Sequence, residues 1–416
     1  MSRDCQRSEG RLGDFFNQRQ EPGKQGLPVM SVTMNDSLVL RESIERRLES
    51  ALQPNQHLLV KKDDIAYNMM RMWQGACGLA LRDGIVSPAY VVLEPKPSID
   101  SRFAYHWFKS AHMLYLFWAY SHGLTEDRLR LYFDNFCEIP AAPPSLEVQR
   151  LIVDVLDPWD RRIEITENLI AAHTKRFASI SKLLFEDLGR NRSKWKSLRI
   201  EEVADCFSGG TPDRGNKDFF GGDILWVKSG EVTSATISRT EEHLTAAGMK
   251  ASSARWAPAG STLLAMYGAN AGQVGRLAIR ATTNQAVLAI VPHEESVDSE
   301  YLYHSIRYAI PSLLRKVQGS GQPNLTAKII KEHEVLVPER NRQTAIAQIA
   351  NALRETLDNL EGQLAQLRLQ KRGLIQTLLD RQSSEKGYFD LSRLKLQFAN
   401  LSRFSNGTAL SKVRVI

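Results

Sequence analysis

The chain has 416 residues, enough for two or three domains that each bury a core, and a hydrophobic fraction of 43% agrees with globular folding. Its formal net charge of +7 favours polyanionic partners. Cys5, Cys77, Cys137 and Cys206 are scattered, which excludes the paired spacing of a zinc site and the density of a disulfide scaffold and leaves them as reduced thiols.

The N-terminal stretch carries Arg3, Asp4, Arg7, Glu9 and Arg11 and lacks the apolar core of a secretory signal. After it, Tyr67 to Met72, Leu79 to Arg82 and Ala89 to Leu93 are expected as strands, each an apolar run bounded by glycine and polar turns. A helix is expected from about Ser101 to Tyr120. The aromatic run Tyr105 to Tyr120, interrupted by Lys109 and His112, is too short to span a bilayer and is read as a buried helix, so a cytoplasmic protein with no membrane partner is expected.

From Ser145 to Asp187 the apolar positions alternate at steps of three and four: Ile152, Leu156, Trp159, Ile163, Thr166, Ile170, His173, Phe177, Ile180 and Leu184. Pro158 is expected to split this stretch, with Asp157 ending a short helix and capping a second that starts at Pro158. In the second half, Ile224 to Val227, Thr262 to Met266, Gly275 to Ile279 and Ala286 to Val291 are expected as strands. A helix from Ser299 to Val317 follows, then a loop at Gly319 to Asn324 and a short helix capped by Thr326. A second seam, Leu353, Leu357, Leu360, Leu364, Leu367, Leu374 and Leu378, is broken only by Lys371. Two such narrow stripes are not stable alone in water, and laying them antiparallel against each other buries both. At about 1.5 Å per residue, roughly 30 residues make a rod of about 45 Å, the span of about 13 base pairs at about 3.4 Å each.

The chain is also duplicated at an offset of about 195 residues. Pro28 to Ser31 answers Trp226 to Ser229, Asp64 to Met70 answers Ser261 to Tyr267, and Gly75 and Gly78 answer Gly272 and Gly275. Ile99 to Ser101 with Tyr105 and His106 answers Val297 to Ser299 with Tyr303 and His304; Gln149 answers Gln343 ahead of each long helix. The expected fold class is therefore α+β, with two similar mixed α/β recognition domains separated by an antiparallel pair of long coiled-coil helices in an internal pseudo-two-fold repeat. Its segments are residues 1–144, a helical spacer 145–190, residues 191–338, a distal spacer 339–381 and a tail 382–416 without a counterpart.

Catalytic constellations are missing from the sequence. There is no HExxH, no Asn-Pro-Pro-Tyr or Asp-Pro-Pro-Tyr, and no metal-ligand spacing among the nine histidines. Gly222 to Ser229 has Val227 where a phosphate-binding loop needs glycine before its lysine. Gly268 to Gly272 lies between two strands and reads as a tight turn. What remains are side chains suited to base edges: Asn68, Arg71, Trp73 and Gln74 before Gly75, and Tyr267, Asn270, Gln273 and Arg276 in the equivalent turn. Arg214, Lys217 and Lys228 are candidates for phosphates.

On these residues the chain resembles the specificity subunits of type I restriction-modification systems. The resemblance is carried by Gly13-Asp14-Phe15-Phe16 and Ala204 to Pro212 opening the halves, Gly84 to Tyr90, the paired segments Pro144 to Gln149 and Pro338 to Gln343, and the two long helices. It implies that each globular half reads one part of a bipartite, asymmetric site in double-stranded DNA, while the helices set the gap and dock two modification (methyltransferase) subunits. The helix segments Leu146 to Leu156 and Gln343 to Leu353 are the expected docking surfaces. The resemblance further implies that no cofactor binds this chain: S-adenosylmethionine belongs to the modification subunit, and ATP and Mg to the restriction subunit of complexes that cleave. Two other readings remain open at this point, a stand-alone DNA methyltransferase or restriction enzyme and a coiled-coil interaction protein that binds no DNA.

Overall fold

The computed structural model describes residues 10–34, 37–43, 52–125, 128–186, 195–232, 236–317 and 324–380. Cys5 and its neighbours, the loop residues 319–323, the helix end at 187–190 and the tail 382–416 lie outside them. The chain divides into two compact units, residues 1–167 with 363–416 and residues 168–362.

The first copy carries β1 (Phe16–Gln18), β2 (Met30–Ser31), β3 (Val39–Leu40), β4 (Leu58–Val60), β5 (Ile65–Asn68), β6 (Cys77–Leu79), β7 (Gly84–Val86) and β8 (Tyr90–Pro95). Helices α1 (Ser101–Trp107), α2 (Ala111–Ala119), α3 (Phe133–Cys137) and α4 (Leu146–Phe185) follow. The second copy opens with β9 (Lys196–Arg199), α5 (Ile200–Val203), β10 (Ala204–Ser208), β11 (Phe220–Val227), β12 (Thr236–Ile237), β13 (Glu242–Leu244), α6 (Ala246–Lys250) and β14 (Trp256–Ala257). It continues with β15 (Thr262–Ala265), β16 (Val274–Leu277), β17 (Ala281–Thr283), β18 (Val287–Pro292), α7 (Ser299–Val317), α8 (Ala327–Lys331), β19 (Glu334–Val337) and α9 (Arg340–Ile375).

The repeat extends to strand order. One sheet runs β1-β8-β5-β6 and its counterpart runs β10-β18-β15-β16, with β12 added at the edge. Period-two alternation explains why both can be buried on two faces. In β8, Val91 and Leu93 enter one core and Val92 the other; in β18, Leu288 and Ile290 enter one core and Val287 and Ala289 the other. Around the first sheet, Phe16, Phe103, Phe108, Phe117 and Phe136 are all buried, with Phe136 edge-on to Phe16 and Phe108 at 5.8 Å in each case.

Several expectations need correction. The helix expected over Ser101 to Tyr120 is two helices, because the Ser110 side chain accepts the backbone N–H of Met113 and caps a new start at Ala111. Nor is the aromatic run wholly buried: Tyr115 and Trp118 are 61% and 45% exposed, on the face of α2 opposite Met113 and Phe117. Tyr67 to Met72 does not stay extended, since the chain leaves the sheet after Asn68 and turns over Met72 to Gln74; β6 ends at Leu79 rather than Arg82. Pro158 does not divide the long helix, and α4 continues through it. A proline here costs the hydrogen bond to the carbonyl of Asp154, but Asp154 lies on the exposed face, where water can serve that oxygen. Asp157, freed from a capping role, takes Arg102 at 2.9 Å instead.

The leucine and isoleucine seams are withdrawn from solvent as their spacing requires. Leu184, Leu357, Leu367 and Leu378 are buried, and Ile163, Ile170, Phe177, Ile180, Leu353, Leu360, Leu364 and Leu374 are half-buried between exposed neighbours. Within the first unit Asp160 pairs with Lys371 and Glu167 with Arg368, one number rising as the other falls, so the helices there are antiparallel. In the second unit Leu184 joins Ile346 and Ala347 in one core, which has the same sense. Lys371, the break in the seam, is only 8% exposed because its ammonium meets Asp160. The two helices form no compact unit of their own, since each unit takes a part of both.

Candidate nucleic-acid interface

The turns that carry the base-edge candidates are built alike in both copies. Between β5 and β6 the chain closes on Gly75, at φ 89°, and between β15 and β16 on Gly272, at φ 87°; only glycine adopts this left-handed backbone without strain. Each turn is held from outside by one backbone bond, Leu131 N–H to the Met69 carbonyl and Leu325 N–H to the Met266 carbonyl, both 2.9 Å. The expectation of a tight turn at Gly268 to Gly272 therefore holds, and the Thr326 cap is also present.

In the first turn Arg71 and Gln74 are exposed and Asn68 and Trp73 half-buried. Asn68 Oδ1 accepts the Met70 N–H at 3.0 Å, and Trp73 Nε1–H donates to the Met70 carbonyl at 3.2 Å, so two of the four shape the turn itself. Helix α2 packs against the turn and presents Tyr115 and Trp118 outward, with ring centroids 6.0 Å apart. Met70, in the turn itself, is exposed as well. Sequence reasoning missed these three; the signal was the i, i+3 spacing of Tyr115 and Trp118, out of phase with the buried Met113 and Phe117.

In the second copy Tyr267 and Gln273 are exposed and Asn270 is half-buried, its amide close to Gly230 in the turn that follows Lys228. Arg276 is not in the turn. It sits half-buried on β16, held by Glu300 and by Thr236 Oγ1 at 3.3 Å. Arg214 and Lys228 converge on Glu242, at 2.6 and 2.9 Å, and the Arg214 guanidinium lies over the Phe220 ring at 4.8 Å. A phosphate at this place must compete with that carboxylate. The Lys228 ammonium, between Glu242 and Glu241, is held above its ordinary pKa. Lys217 is exposed on its own short turn before β11.

Deeper in each unit, the first helix after the sheet is fastened to a long helix. His106 is buried, with Nε2 3.7 Å from Asp157 and 3.5 Å from Asp160, and burial pushes its pKa down. Its Nδ1 is buried without a hydrogen-bond partner, so a second ring proton would be unsatisfied. His106 and Arg102 in turn hold the Asp157 carboxyl below the usual carboxylate range. These donor atoms lie within 4.8 Å of one another, a spacing a cation would accept, but Arg102 and Lys371 already occupy the carboxylates. The counterpart in the second unit is neutral: His304 Nε2–H donates to Asn351 Oδ1 at 2.7 Å, and burial pushes His304 down to about 4.

Among the described residues no helix is long and apolar enough to cross a membrane. Residues 13–172 and 192–369 each match the family model for the type I restriction modification DNA specificity domain. A type I restriction enzyme specificity subunit of Methanocaldococcus jannaschii is 29% identical over 185 residues, 42% of each chain. One from Escherichia coli is 26% identical over 247 residues, 56% of this chain and 60% of that one. The matches thus span less than two thirds of either relative. Another, from Haemophilus influenzae, is 20% identical over 361 residues, 68% of this chain and 78% of that one. In fold, the chain resembles the S subunit of a type I restriction-modification system from M. genitalium, with a TM-score of 0.58 at 15% identity, covering 90% of this chain and 96% of that one. It also resembles a chain from a structural study of type I complex assembly, with a TM-score of 0.52 at 16% identity, covering 91% and 97%.

Proposed function

The chain belongs to the type I restriction modification DNA specificity family, and from that premise we propose that it is the non-catalytic DNA-recognition subunit of a type I complex. Each copy of the repeat reads one part of a bipartite, asymmetric target through the turn closed by Gly75 or Gly272. The observation that carries this reading is the duplication itself: the same sheet order, the same glycine-closed turn and the same attachment to a long helix occur twice around different exposed side chains. Matched scaffolds with unmatched reading residues, Arg71, Trp73 and Gln74 against Tyr267, Asn270 and Gln273, suit a target whose two parts differ.

The antiparallel helices hold the gap between the parts at a fixed length, and their outward faces over Leu146–Leu156 and Gln343–Leu353 receive two modification subunits. S-adenosylmethionine and methyl transfer reside in those subunits, and ATP and Mg act in restriction subunits where the complex cleaves. Lys217 and, in competition with Glu242, Arg214 and Lys228 contact phosphates.

Filter binding of duplex DNA, with and without a modification subunit, tests the reading. The three phosphate contacts just named are expected to make affinity fall roughly fortyfold between about 50 and 200 mM salt. Methylome sequencing of cells expressing the chain with its modification partner is expected to return one split, asymmetric motif. Methyl transfer by the purified chain alone would favour a stand-alone enzyme, and salt-independent or absent DNA binding by the complex would favour a pure interaction protein.

A further inference from the structure

Gln149 and Gln343 stand at matched positions one turn into the two long helices, and both are buried, at 0% and 2% exposure. Gln149 Oε1 accepts the Asp100 N–H at 2.7 Å, and its Nε2 donates to the Pro144 carbonyl at 2.8 Å and the Ser98 carbonyl at 3.3 Å. Gln343 repeats the pattern, accepting the Asp298 N–H at 2.7 Å and donating to the Pro338 carbonyl at 2.8 Å. In both cases one carboxamide joins the start of the helix after the sheet, the end of the incoming loop and the long helix.

A second contact lies further along the same pair of helices. His106, six residues past Asp100, meets Asp157, eight past Gln149; His304, six past Asp298, meets Asn351, eight past Gln343. One point of attachment leaves a helix free to pivot, and two fix its direction. The chemistry of the second point has diverged, charged in the first unit and neutral in the second, while the spacing has been kept.

We propose that Gln149 and Gln343, each backed by its histidine contact, are positioning residues that fix the angle of each recognition sheet on its long helix and thereby the accuracy of the gap in the target. This rests on the DNA-recognition reading above. The need for such a clamp follows from size. A domain of about 140 residues has a radius of gyration of about 14 Å and hence a diameter of about 35 Å, so a tilt of about 3° at its base moves the far side by about 1.8 Å. That is half the step of about 3.4 Å between base pairs.

The test is methylation by the complex with modification subunits on a pool of duplexes that carry the same two half-sites at varied gap lengths. Gln149→Met keeps the volume and removes all three of its hydrogen bonds, Gln343→Met removes both of its own, and Asn351→Ala loosens only the second contact, taking away the bonds to His304 and Glu300. Each folded variant is expected to keep the half-site sequences while its preference for the native gap over gaps one base pair longer or shorter falls about tenfold. Retention of the wild-type gap preference in every variant that folds, with activity changing only in proportion to folded protein, would overturn the proposal. Failure of the wild-type complex to methylate a split site would instead sink the DNA-recognition reading, so the two failures are distinguishable.

Discussion

Replacing Gly75 and Gly272 separately by alanine has unequal consequences, and the inequality comes from the surroundings rather than from the backbone. Both residues lie in the left-handed region, at φ 89° and 87°, so each alanine incurs about 1 kcal/mol of strain. A Cβ on Gly75 would meet only Leu114 Cδ2, at 3.4 Å, which is ordinary contact. On Gly272 it would lie 2.8 Å from Leu314 Cδ1 and 2.9 Å from Ile310 Cγ2. The Leu314 methyl can swing aside, but Ile310 is buried and branched at Cβ, so overpacking adds about 1–2 kcal/mol. Gly75→Ala is expected to cost about 1 kcal/mol and Gly272→Ala about 2–3 kcal/mol. Hydrogen exchange over residues 65–79 and 262–277 reads each cost locally, and methylation of duplexes with one half-site altered reads the effect on recognition. Each variant should relax discrimination at one half-site only. Equal costs, or a larger cost at Gly75, would refute the reasoning.

Other perturbations follow from the attachments. Burial holds His304 at about 4, below its unfolded value near 6.5, so its contribution to stability is fully present above about pH 6.5 and is lost as pH falls toward 4, by roughly 3 kcal/mol in all. His304→Gln retains a donor for Asn351 and removes the titration; exchange protection of α7 should then depend less on pH than in the wild type, and an unchanged slope would remove His304 from the account. Lys371→Met leaves Asp160 without its ammonium and is expected to cost about 1 kcal/mol, most of it recovered when Asp160→Leu is added; urea unfolding in a double-mutant cycle gives the coupling, and a value of zero would contradict it. Removing seven residues from each long helix shortens both by about 10 Å and should shorten the preferred gap by about 3 base pairs. An unchanged gap in a methylation-site map would refute the ruler.

The duplication and the two seams were legible because they are periodic, and periodicity survives sequence divergence. Gly75 with Gly272 and Gln149 with Gln343 were visible as recurring letters, although the sequence could not say that the glutamines were clamps. Local rules failed where tertiary partners outweighed them. Pro158 sits in an unbroken helix because its lost hydrogen bond falls on an exposed face, and Asp157 is drawn off by Arg102 and His106. The partners of the candidate interface residues were less legible than the fold. Position in a turn did not reveal that Arg276 is held by Glu300, or that Arg214 and Lys228 share Glu242, because such pairs join residues that lie 14 to 28 positions apart or more. Lys371, an interruption by hydropathy, is explained only by a carboxylate 211 positions away.

The last turns of the distal helix have a further effect, on the order in which the chain acquires structure. Ile375, Leu378 and Leu379 are part of the core that also holds Phe117, Ile152 and Leu156, so the N-terminal copy is completed by side chains from the far end of the polypeptide. At about 5–20 residues per second, the ribosome takes roughly 10–45 s to travel from Leu156 to Leu379. Throughout that interval Phe117, Ile152 and Leu156 lack the apolar side chains that complete their core in the finished protein.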